Sequence, residues 1–541
     1  MSSLNLTFST SLPASYTIRA EDIVEVLCHR KVTETEEYLV RWKTKPPTPT
    51  PPYAPASWHA LSDLYRCLRH VQAYIENAQS KYDLTALNTS LTSTSSRKRK
   101  SPDADPVPTR DLATNGLLTP WTERSLSPAN VSDIKTEAIN AADLGPRVYN
   151  AILQRKEGYL FAKKPADWKE RDDIAKVNCR TLPTEAMIEV AKKTPVSQAE
   201  SAIRHKFLHL LRPVKGVQLR NDVDSATPSL NFTFIDKYVL RNGIYEHPPE
   251  SYEGCVTRCK PDMGQGVGCE YTAWCECLEY AAVDEERLSR KDPELYEKYQ
   301  LDKLQDTSGL PKRFPYRKSN RNDTKRPQTL QPFYLKSRNA IYECNDNCRC
   351  GPVCKSRVVQ KGRRVPLTIF KTRNRGWGVC CNEDLVEGEF IDTYLGEVIT
   401  DEEANKREGT FGKEKNSYFY QLDKFVGDPL PGVGELTSEM CYIVDGQYMG
   451  NATRFINHSC EPNCHQYTVS YNKHDIRLYN LAFFASEDIT AGTELTFDYQ
   501  DEDEVEDEVA IQRREAAEQN PANQGRIRCN CGAPKCRGFL W

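Results

Sequence analysis

The sequence lacks long apolar segments and contains few hydrophobic residues overall. Hydrophobic residues make up 38% of the 541 residues, and 33 residues are proline, a composition typical of folded domains joined by open linkers. No apolar run of about 18 residues occurs, so no membrane-spanning helix is expected. The first residues, MSSLNLTFSTSLPASY, lack the basic and apolar regions of a secretory signal. We therefore expect a cytosolic or nuclear protein.

The chain also lacks an excess of charge of one sign. Lys and Arg number 73, Asp and Glu number 76, and the formal net charge is −3, which argues against a protein that coats nucleic acid. The sequence shows no recognition-helix pattern with spaced basic residues, which disfavours a zinc-dependent DNA-binding protein. One basic run, Arg97 to Lys100, lies in a segment rich in Ser, Thr and Pro. It predicts a nuclear import signal, with a solvated basic patch as the alternative.

The pattern along the chain predicts a series of domains and linkers. Residues 20–83 contain two strand-like stretches, EDIVEVLCHRKV and EEYLVRWK, and then apolar residues at helical spacing. Short strand-like stretches and glycine turns in residues 365–500 indicate a β-rich domain. The predicted segments are a tail (1–19), the small domain (20–83), a disordered linker (84–145), a mostly helical region (146–230), a first cysteine-rich segment (251–358), the β-rich domain (365–500), an acidic insert (501–524) and a second cysteine-rich segment (525–541).

Cysteine, by contrast, is abundant, with 20 residues in the chain. Disulfides rarely persist in the cytosol or nucleus, so dense cysteine clusters there indicate zinc. Separate tetrahedral four-cysteine sites would need eight or twelve ligands, whereas the first cluster has nine. Three zinc ions sharing six terminal and three bridging thiolates resolve the mismatch; the alternative is one or two simple sites with spare buried cysteines. The nine candidate ligands are Cys255, Cys259, Cys269, Cys275, Cys277, Cys344, Cys348, Cys350 and Cys354.

A second, smaller group of cysteines lies at the C-terminus. Cys529, Cys531 and Cys536 would leave a tetrahedral zinc ion one ligand short. We expect Cys460, in the stretch NHSCEPNC, to supply the fourth ligand, and we treat Cys464 in the same stretch as a bystander. The adjacent pair at 380–381 is predicted to be small buried residues.

The motifs between the two cysteine groups resemble those of a known enzyme family. RGWGV, YLGEVIT, RFINHSCEPN and ELTFDY occur in this order, and they resemble the SET-domain histone lysine methyltransferases of the suppressor-of-variegation 3-9 class over residues 230–541. The nine cysteines resemble the family's pre-SET triangular zinc cluster, and RCNCGAPKC resembles its post-SET segment. The first pair is CVTRC rather than the usual C-x-C, so we expect the cluster to form with an altered loop.

The resemblance implies both a fold and a function. The fold is a mainly β multidomain architecture, in which a SET β-fold is flanked by zinc-binding pre-SET and post-SET segments, with a small α+β module at the N-terminus. The function is methyl transfer from S-adenosylmethionine to lysine 9 of histone H3, with di- and trimethylation, in heterochromatin formation and gene silencing. The implied cofactors are S-adenosylmethionine and four zinc ions. The implied partners are the H3 tail or nucleosome and heterochromatin proteins, in the nucleus on chromatin.

The resemblance also assigns roles to single residues. Tyr499, Tyr418 and Phe497 match catalytic-site positions; Phe497 lacks the hydroxyl that would anchor a water in the space needed for further methyl groups. The residues expected to bind the methyl donor are Arg375, Gly376, Trp377, Tyr418, Tyr448, Arg454, Asn457 and His458. A chromatin-binding scaffold with an inactive SET fold is the competing interpretation, and the intact set of matched residues favours an enzyme.

Two further segments have open interpretations. The run from Asp501 to Glu508, with seven acidic residues in eight, would suit a basic histone tail or would be a solvated insert. Residues 20–83 resemble a chromodomain, which holds methylated lysine in a cage of three aromatic residues. Trp42 fits one cage position, but Asp22 and Lys45 occupy the others. Tyr53 or Trp58 could substitute, although we expect Trp58 to be a packing residue.

Overall fold

The computed structural model describes residues 18–43, 56–78, 152–156, 159–163, 182–256, 259, 269, 275–301, 307–318, 328–352, 354–411, 418–499 and 528–540. The chain divides into two compact units, Met1–Ile203 and Arg204–Trp541. Within the described ranges, no helix is long and apolar enough to cross a membrane. Lys45, Tyr53, the basic run at 97–100 and the acidic run at 501–508 lie outside the described residues.

The first unit contains a three-stranded antiparallel sheet in the order β1-β2-β3. Its elements are β1 (Ile23–Val32), β2 (Thr35–Trp42), β3 (Ala56–Ala60), α1 (68–78), β4 (Ile152–Lys156), β5 (Tyr159–Lys163), α2 (Glu185–Lys193) and α3 (Ser197–Leu211), whose residues up to Ile203 belong to this unit. Strands β1 and β2 are the two stretches predicted to pair. Helices α2 and α3 lie in the region predicted to be mostly helical, but the antiparallel pair β4–β5 in that region was not anticipated.

A buried carboxylate fixes the start of α3 within this unit. The Glu36 side chain, on β2, accepts hydrogen bonds from the backbone N–H groups of Gln198 (2.7 Å) and Ala199 (3.0 Å). It also accepts one from the Tyr38 hydroxyl at 2.8 Å. The first N–H groups of a helix have no partner within the helix, and a negative charge there is favourable. Glu36 therefore serves as an N-cap contributed by the sheet.

The second unit is dominated by short strands. Its strands are β6 (Val217–Arg220), β7 (Thr233–Phe234), β8 (Val239–Leu240), β9 (Tyr316–Lys318), β10 (Gln328–Leu330), β11 (Ile341–Tyr342), β12 (Leu367–Lys371), β13 (Trp377–Cys381), β14 (Phe390–Tyr394), β15 (Glu397–Ile399), β16 (Phe419–Gln421), β17 (Pro429–Leu430), β18 (Gly434–Glu435), β19 (Ile443–Asp445), β20 (Met449–Gly450), β21 (Asn457–His458), β22 (Cys464–Ser470), β23 (Asn480–Ala485) and β24 (Glu494–Phe497). Its remaining α-helices are α4 (Glu285–Lys291), α5 (Pro293–Gln300), α6 (Pro332–Ser337) and α7 (Asp401–Phe411). The predicted mainly β organisation is confirmed.

Three sheets enclose the core of this unit. Their strand orders are β21-β24-β13-β12-β6, β11-β22-β23-β14 and β16-β19-β15-β8. Ile369, Val379, Val444 and Phe483 are fully buried members of one continuous apolar cluster between them. Burial on both faces explains the nearly unbroken apolar runs in these strands. Cys380 and Cys381 are buried in β13, as predicted.

A buried glutamate joins the cysteine-rich segment to the strands. Glu343 directly follows β11, and its carboxylate accepts hydrogen bonds from the Tyr316 hydroxyl (2.7 Å) and the backbone N–H groups of Val358 (2.8 Å) and Val359 (2.7 Å). A buried carboxylate is tolerated when hydrogen-bond donors satisfy it. Strand β11 itself pairs in parallel with β22, so this segment forms one edge of the second sheet.

Candidate active site and zinc sites

The active-site candidates are brought together by β21 and β24. These short strands pair in parallel, with Asn457 opposite Thr496 and His458 opposite Phe497. On its other side β24 pairs antiparallel with β13, which begins at Trp377. The motifs RGWG, NHSC and TFDY are far apart in sequence but are neighbours in one sheet. The pairing of β13, β24 and β21 therefore brings these motifs together.

Two glycines shape the turn before β13 and the start of that strand. Gly376 has a φ of +68°, in the left-handed region that residues with a side chain rarely adopt. A Cβ atom on Gly378 would lie 2.7 Å from the Glu494 carboxylate and 3.1 Å from the Asn457 amide nitrogen. A side chain at Gly378 would collide with these neighbours, whereas a side chain at Gly376 would strain the backbone.

Glu494 is a site residue that sequence analysis missed. Its carboxylate forms an ion pair with Arg375 at 2.5 Å and accepts a hydrogen bond from the Asn457 side chain at 2.8 Å. The Asn457 amide also donates to the Trp377 carbonyl at 3.2 Å. The side-chain amide nitrogen of Asn457 thus holds the loop. The acidic first residue of ELTFDY was the available signal.

The Tyr499 hydroxyl is buried beside the two short strands. It donates to the Ile456 carbonyl at 2.9 Å, and burial raises the pKa of Tyr499 above its ordinary value, with a smaller contribution from the nearby Tyr418. The Phe497 ring lies 4.8 Å from the Tyr499 ring and 4.9 Å from the Phe483 ring, between centroids. Tyr499 is therefore a neutral hydroxyl at the edge of an aromatic surface.

The Arg454 guanidinium packs against the Tyr418 ring. Its guanidinium carbon lies 4.2 Å from the Tyr418 ring centroid and 4.7 Å from that of Phe232. Its N–H groups donate to the backbone carbonyls of Gly446 (3.0 Å) and Gln447 (3.2 Å). Arg454 is therefore placed to shape the site through Tyr418. Tyr448, another candidate, is 37% exposed, so it lies at the surface of this region.

Tyr394 is a second residue missed by sequence analysis. Its hydroxyl donates to the Tyr418 carbonyl at 2.8 Å, and its ring centroid lies 6.1 Å from that of Tyr420. Burial raises the pKa of Tyr394, and Arg454, Tyr418 and Tyr499 act on it electrostatically. Its position at the end of buried strand β14, in YLGE, was the signal. Tyr394 belongs to the same aromatic cluster as Tyr418 and Tyr499.

His458 touches both the aromatic site and the tail cysteines. Burial lowers the pKa of His458 to about 4, so the ring is neutral at physiological pH. Its Nδ1 atom accepts the backbone N–H of Tyr499 at 3.2 Å, which places the ring proton on Nε2. That nitrogen lies 3.2 Å from the Cys460 sulfur. The His458 imidazole thus links Tyr499, a candidate catalytic residue, to Cys460, a candidate metal ligand.

The four tail cysteines come together as predicted. The Sγ atoms of Cys460, Cys529, Cys531 and Cys536 all lie within 4.8 Å of one another. Four thiolates around one zinc ion, with Zn–S bonds of about 2.3 Å, place their sulfurs about 3.8 Å apart. The Cys460–Cys529 separation is 3.9 Å, so this set fits a tetrahedral zinc ion. Cys464 is buried and lies outside the set.

The nine remaining candidates form one buried cluster. Three overlapping groups of sulfur atoms occur: Cys255, Cys259, Cys269, Cys275; Cys255, Cys277, Cys344, Cys348; and Cys255, Cys269, Cys344, Cys350. The ninth sulfur, Cys354, lies 3.9 Å from the Cys344 sulfur and accepts the Cys269 N–H at 3.5 Å. We therefore group the Cys354 sulfur with that of Cys350. None of the nine is left as a spare residue.

Both expected tryptophans of the N-terminal module are packed inside it. Trp42 is buried, and its indole N–H donates to the Ser57 hydroxyl at 2.9 Å. Trp58 is buried under the Arg30 guanidinium, whose carbon lies 4.1 Å from the ring centroid. Trp58 is a packing residue, as expected. Trp42, expected at a cage position, has no open ring face of the kind that an aromatic cage needs.

The second unit of the chain is similar to known proteins. Residues 376–500 match the SET domain, and residues 212–357 match the Pre-SET motif. The H3 lysine-9-specific histone-lysine N-methyltransferase dim-5 of Neurospora crassa is 36% identical over 342 residues, which cover 63% of this chain and 91% of that protein. The corresponding KMT1 protein of Fusarium mangiferae is 35% identical, with 60% and 88% covered. The solved structure of the Neurospora SET domain protein DIM-5 has 35% identity, covers 52% of this chain and 94% of that chain, and gives a TM-score of 0.42.

These matches extend over nearly the whole of the first relative. The chain belongs to the SET-domain histone-lysine N-methyltransferases, which are S-adenosylmethionine-dependent enzymes.

Proposed function

We propose that the protein methylates lysine 9 of histone H3 and forms the di- and trimethylated products. The observation that carries this proposal is the β21–β24 pairing, which sets Asn457 and His458 beside Phe497 and leads directly into Tyr499. The relatives that match the chain are named as H3 lysine-9-specific enzymes, which supports the choice of substrate. A heterochromatic, nuclear site of action follows from that substrate.

The residues around β13 fit the methyl donor. S-adenosylmethionine supplies a methyl group on a sulfonium centre. The Arg375–Trp377 turn is fixed by Glu494 and Asn457, so its backbone is held in place before any ligand binds. The Trp377 ring can cover apolar donor surface and attract a positive sulfonium. The Asn457–His458 backbone would hold the donor from the other side.

The substrate lysine must lose its proton before it can attack. A buried channel lowers the pKa of an amine, and a neighbouring positive charge lowers it further. The raised pKa of Tyr499 means that its hydroxyl stays protonated and is not the base. Because this hydroxyl donates to the Ile456 carbonyl, its lone pairs remain available to accept an N–H of the amine. Tyr499 then orients the nitrogen lone pair along the line of attack.

Phe497 explains the expected product state. Its side chain offers no hydroxyl, and it is packed between Phe483 and Tyr499. A water molecule needs two or more polar partners to be held in a site. Without such a partner at Phe497, the space beside the amine stays open to a second and third methyl group.

We assign four zinc ions to structural roles. The nine pre-SET cysteines would hold three of these ions, with Cys255, Cys269 and Cys344 as the shared ligands. The unshared ligands would be Cys259 with Cys275, Cys277 with Cys348, and Cys350 with Cys354. Four thiolates around each ion leave no open coordination position for substrate. The fourth zinc, on Cys460 and the three tail cysteines, would clamp the C-terminal segment beside His458.

The interaction partners are part of the proposal. The substrate is the H3 tail, free or in a nucleosome, and heterochromatin proteins are the expected neighbours. The sheet β1-β2-β3 followed by α1 supports a chromodomain-like fold for the N-terminal module. Its binding to a methylated tail would need residues other than Trp42 and Trp58, because both of these are enclosed.

The test is a methylation assay on a peptide array. The full chain, with zinc content verified, is incubated with S-adenosylmethionine and H3 peptides, and products are resolved by mass spectrometry. We expect mono-, di- and trimethyl products on the lysine-9 peptide, and none on the same peptide with alanine at position 9. A folded, zinc-loaded protein that modifies no peptide would instead indicate a chromatin-binding scaffold. Methylation confined to another lysine would refute the substrate assignment while leaving the reaction intact.

A further inference from the structure

Lys473 has an unusual position for a lysine. It lies in the connection between β22 and β23 of the SET region and is only 7% exposed. Its ammonium nitrogen is 2.9 Å from the sulfur of Cys277 and 4.7 Å from the centroid of the Tyr280 ring. Lysine is almost never fully buried without a partner of opposite charge. As a zinc ligand, Cys277 would be a thiolate and therefore the negative partner, and the tyrosine ring face adds a cation–π contact.

The cluster itself requires positive neighbours. Nine thiolates carry nine negative charges and three zinc ions carry six positive charges, so the loaded cluster has a net charge of −3. A buried charge without compensation costs several kcal/mol. Backbone N–H groups help, since those of Cys255 and Cys269 donate to the sulfurs of Cys348 and Cys354. Lys473 provides a full charge as well as a hydrogen bond.

We propose that Lys473 is an outer-sphere partner of the three-zinc cluster and helps to retain its metal. Its ammonium group donates an N–H···S hydrogen bond to the terminal thiolate of Cys277 and offsets one of the three excess negative charges. Groups that contact metal ligands in this way alter metal affinity by about 10- to 100-fold when removed. The inference rests on the proposed zinc occupancy of the nine cysteines and is independent of the methyl-transfer reaction.

The contact also joins two parts of the unit. Cys277 belongs to the cysteine-rich segment, whereas Lys473 follows β22, whose neighbour β23 carries Phe483 against Phe497. The adjacent Tyr471 carbonyl accepts a hydrogen bond from the Asn345 side chain at 3.0 Å. The 471–479 connection is therefore attached to the cluster by both charge and hydrogen bonding.

Zinc release from the full-length protein tests the proposal. Zinc is followed with a chromogenic chelator during challenge with excess EDTA, for wild type, Lys473→Met, Lys473→Arg and the control Lys406→Met, whose side chain is 78% exposed on α7. We expect cluster zinc to leave Lys473→Met about 10-fold faster than wild type. Lys473→Arg, which keeps the charge, should be slower than Lys473→Met, and Lys406→Met should match wild type.

The tail zinc provides an internal control in the same molecules. Lys473 contacts Cys277 of the cluster rather than the four tail ligands. Release of the tail zinc should therefore be unchanged in Lys473→Met. Equal release of cluster zinc from wild type and Lys473→Met would overturn the proposal. A wild-type protein that binds only the tail zinc would also overturn it, because the three-zinc cluster would not exist. That result would leave the proposed methyltransferase activity to be tested by the methylation assay.

A second measurement uses only wild-type protein, in case Lys473→Met does not fold. Amine acetylation is quantified residue by residue with mass spectrometry. We expect Lys473 to react much more slowly than Lys406 in the zinc-loaded protein, and to become reactive once the chelator removes zinc. Reaction of Lys473 at the rate of Lys406 in the loaded protein would contradict the buried contact with Cys277.

Discussion

Arg537 forms a two-pronged ion pair with Asp498. The two guanidinium nitrogens lie 2.7 Å and 2.5 Å from the two carboxylate oxygens, and the backbone N–H of Arg537 donates to the Cys460 sulfur at 3.3 Å. Asp498 stands between Phe497 and Tyr499, and Arg537 follows the last tail cysteine. The C-terminal segment is thus held by an ion pair next to the end of β24 and by its cysteines beside Cys460.

This ion pair should position the catalytic tyrosine. The planar fork of arginine matches a carboxylate in a way that lysine does not. We expect Arg537→Lys and Asp498→Asn each to lower kcat/KM for S-adenosylmethionine roughly 10-fold, or about 1.4 kcal/mol. Steady-state kinetics on both variants and on the double variant measure this.

The double variant separates a specific pair from two independent effects. Losses that fail to add show that the two residues act together. Lys535→Met, a change in the same tail segment, is the control and should leave kcat/KM unchanged. Fully additive losses, or no loss in Arg537→Lys, would exclude the pair as a positioning element.

Loss of the tail zinc should impair methyl transfer through His458. Cys460→Ser removes one proposed ligand, and the Nε2 atom of His458 lies 3.2 Å from that sulfur. We expect zinc content, measured by elemental mass spectrometry, to fall by one ion and activity to fall with it. Cys464→Ala, which changes a buried cysteine outside the tail set, should keep all its zinc. Full activity in Cys460→Ser after loss of the tail zinc would refute the coupling.

Substitution of Phe497 should change the product and not only the rate. Phe497→Tyr adds a hydroxyl that can hold a water molecule beside the amine, so we expect mainly monomethyl product on the H3 peptide. Phe497→Leu adds no hydroxyl and should still give di- and trimethyl products, although more slowly. Intact-peptide mass spectrometry resolves the three states, and an unchanged distribution in Phe497→Tyr would show that the hydroxyl does not decide the product.

The pH dependence of catalysis should identify which group loses the proton. Burial holds the pKa of Tyr499 above its usual range, so the tyrosine stays protonated across neutral and mildly basic pH. The rise of kcat/KM with pH should then reflect the substrate amine. Tyr499→Phe should lower kcat by roughly 100-fold or more and leave the midpoint of the rise in place. A midpoint that moves in Tyr499→Phe would assign the ionisation to the tyrosine.

The N-terminal module should not distinguish methylated from unmodified H3 tails through Trp42. The indole N–H of Trp42 donates to the Ser57 hydroxyl, and the Trp42 ring packs edge-on against the His59 ring, with 5.3 Å between the centroids. Each open aromatic face contributes about 0.5–2 kcal/mol to binding a cation, and this face is closed. Hydrogen exchange of the full chain with each peptide should show equal protection over residues 23–60. Stronger protection by the trimethylated peptide would establish a reader site.

The sequence predicted the zinc ligands well where the number and spacing of cysteines indicate a metal site. Counting showed that the three tail cysteines lacked a fourth ligand and pointed to a cysteine of NHSCEPNC, and the structure places Cys460, not Cys464, beside them. The sharing of Cys255, Cys269 and Cys344 could not be chosen that way, since it depends on how loops separated by up to about ninety residues fold together. Glu494 and Tyr394 were missed for a related reason. Each contacts a partner that is distant in the sequence, and the residues around Glu494 and Tyr394 do not indicate that partner.

Local patterns were also overridden in the N-terminal unit. The β4–β5 pair arose within a region that sequence predicted to be mostly helical. An aromatic residue at a binding position and one in a packed core look the same in sequence. Trp42 became a core residue because Ser57 and His59, on the neighbouring strand β3, enclose its ring.

The overlap of the cysteine groups makes zinc content a collective property. With three ions in place, each shares ligands with both others through Cys255, Cys269 and Cys344. Departure of one ion leaves two shared thiolates short of a metal and weakens the remaining pair. A population of molecules with limited zinc would then divide into fully loaded and empty clusters, and the cell's zinc supply would set the number of competent enzymes more than the competence of each one.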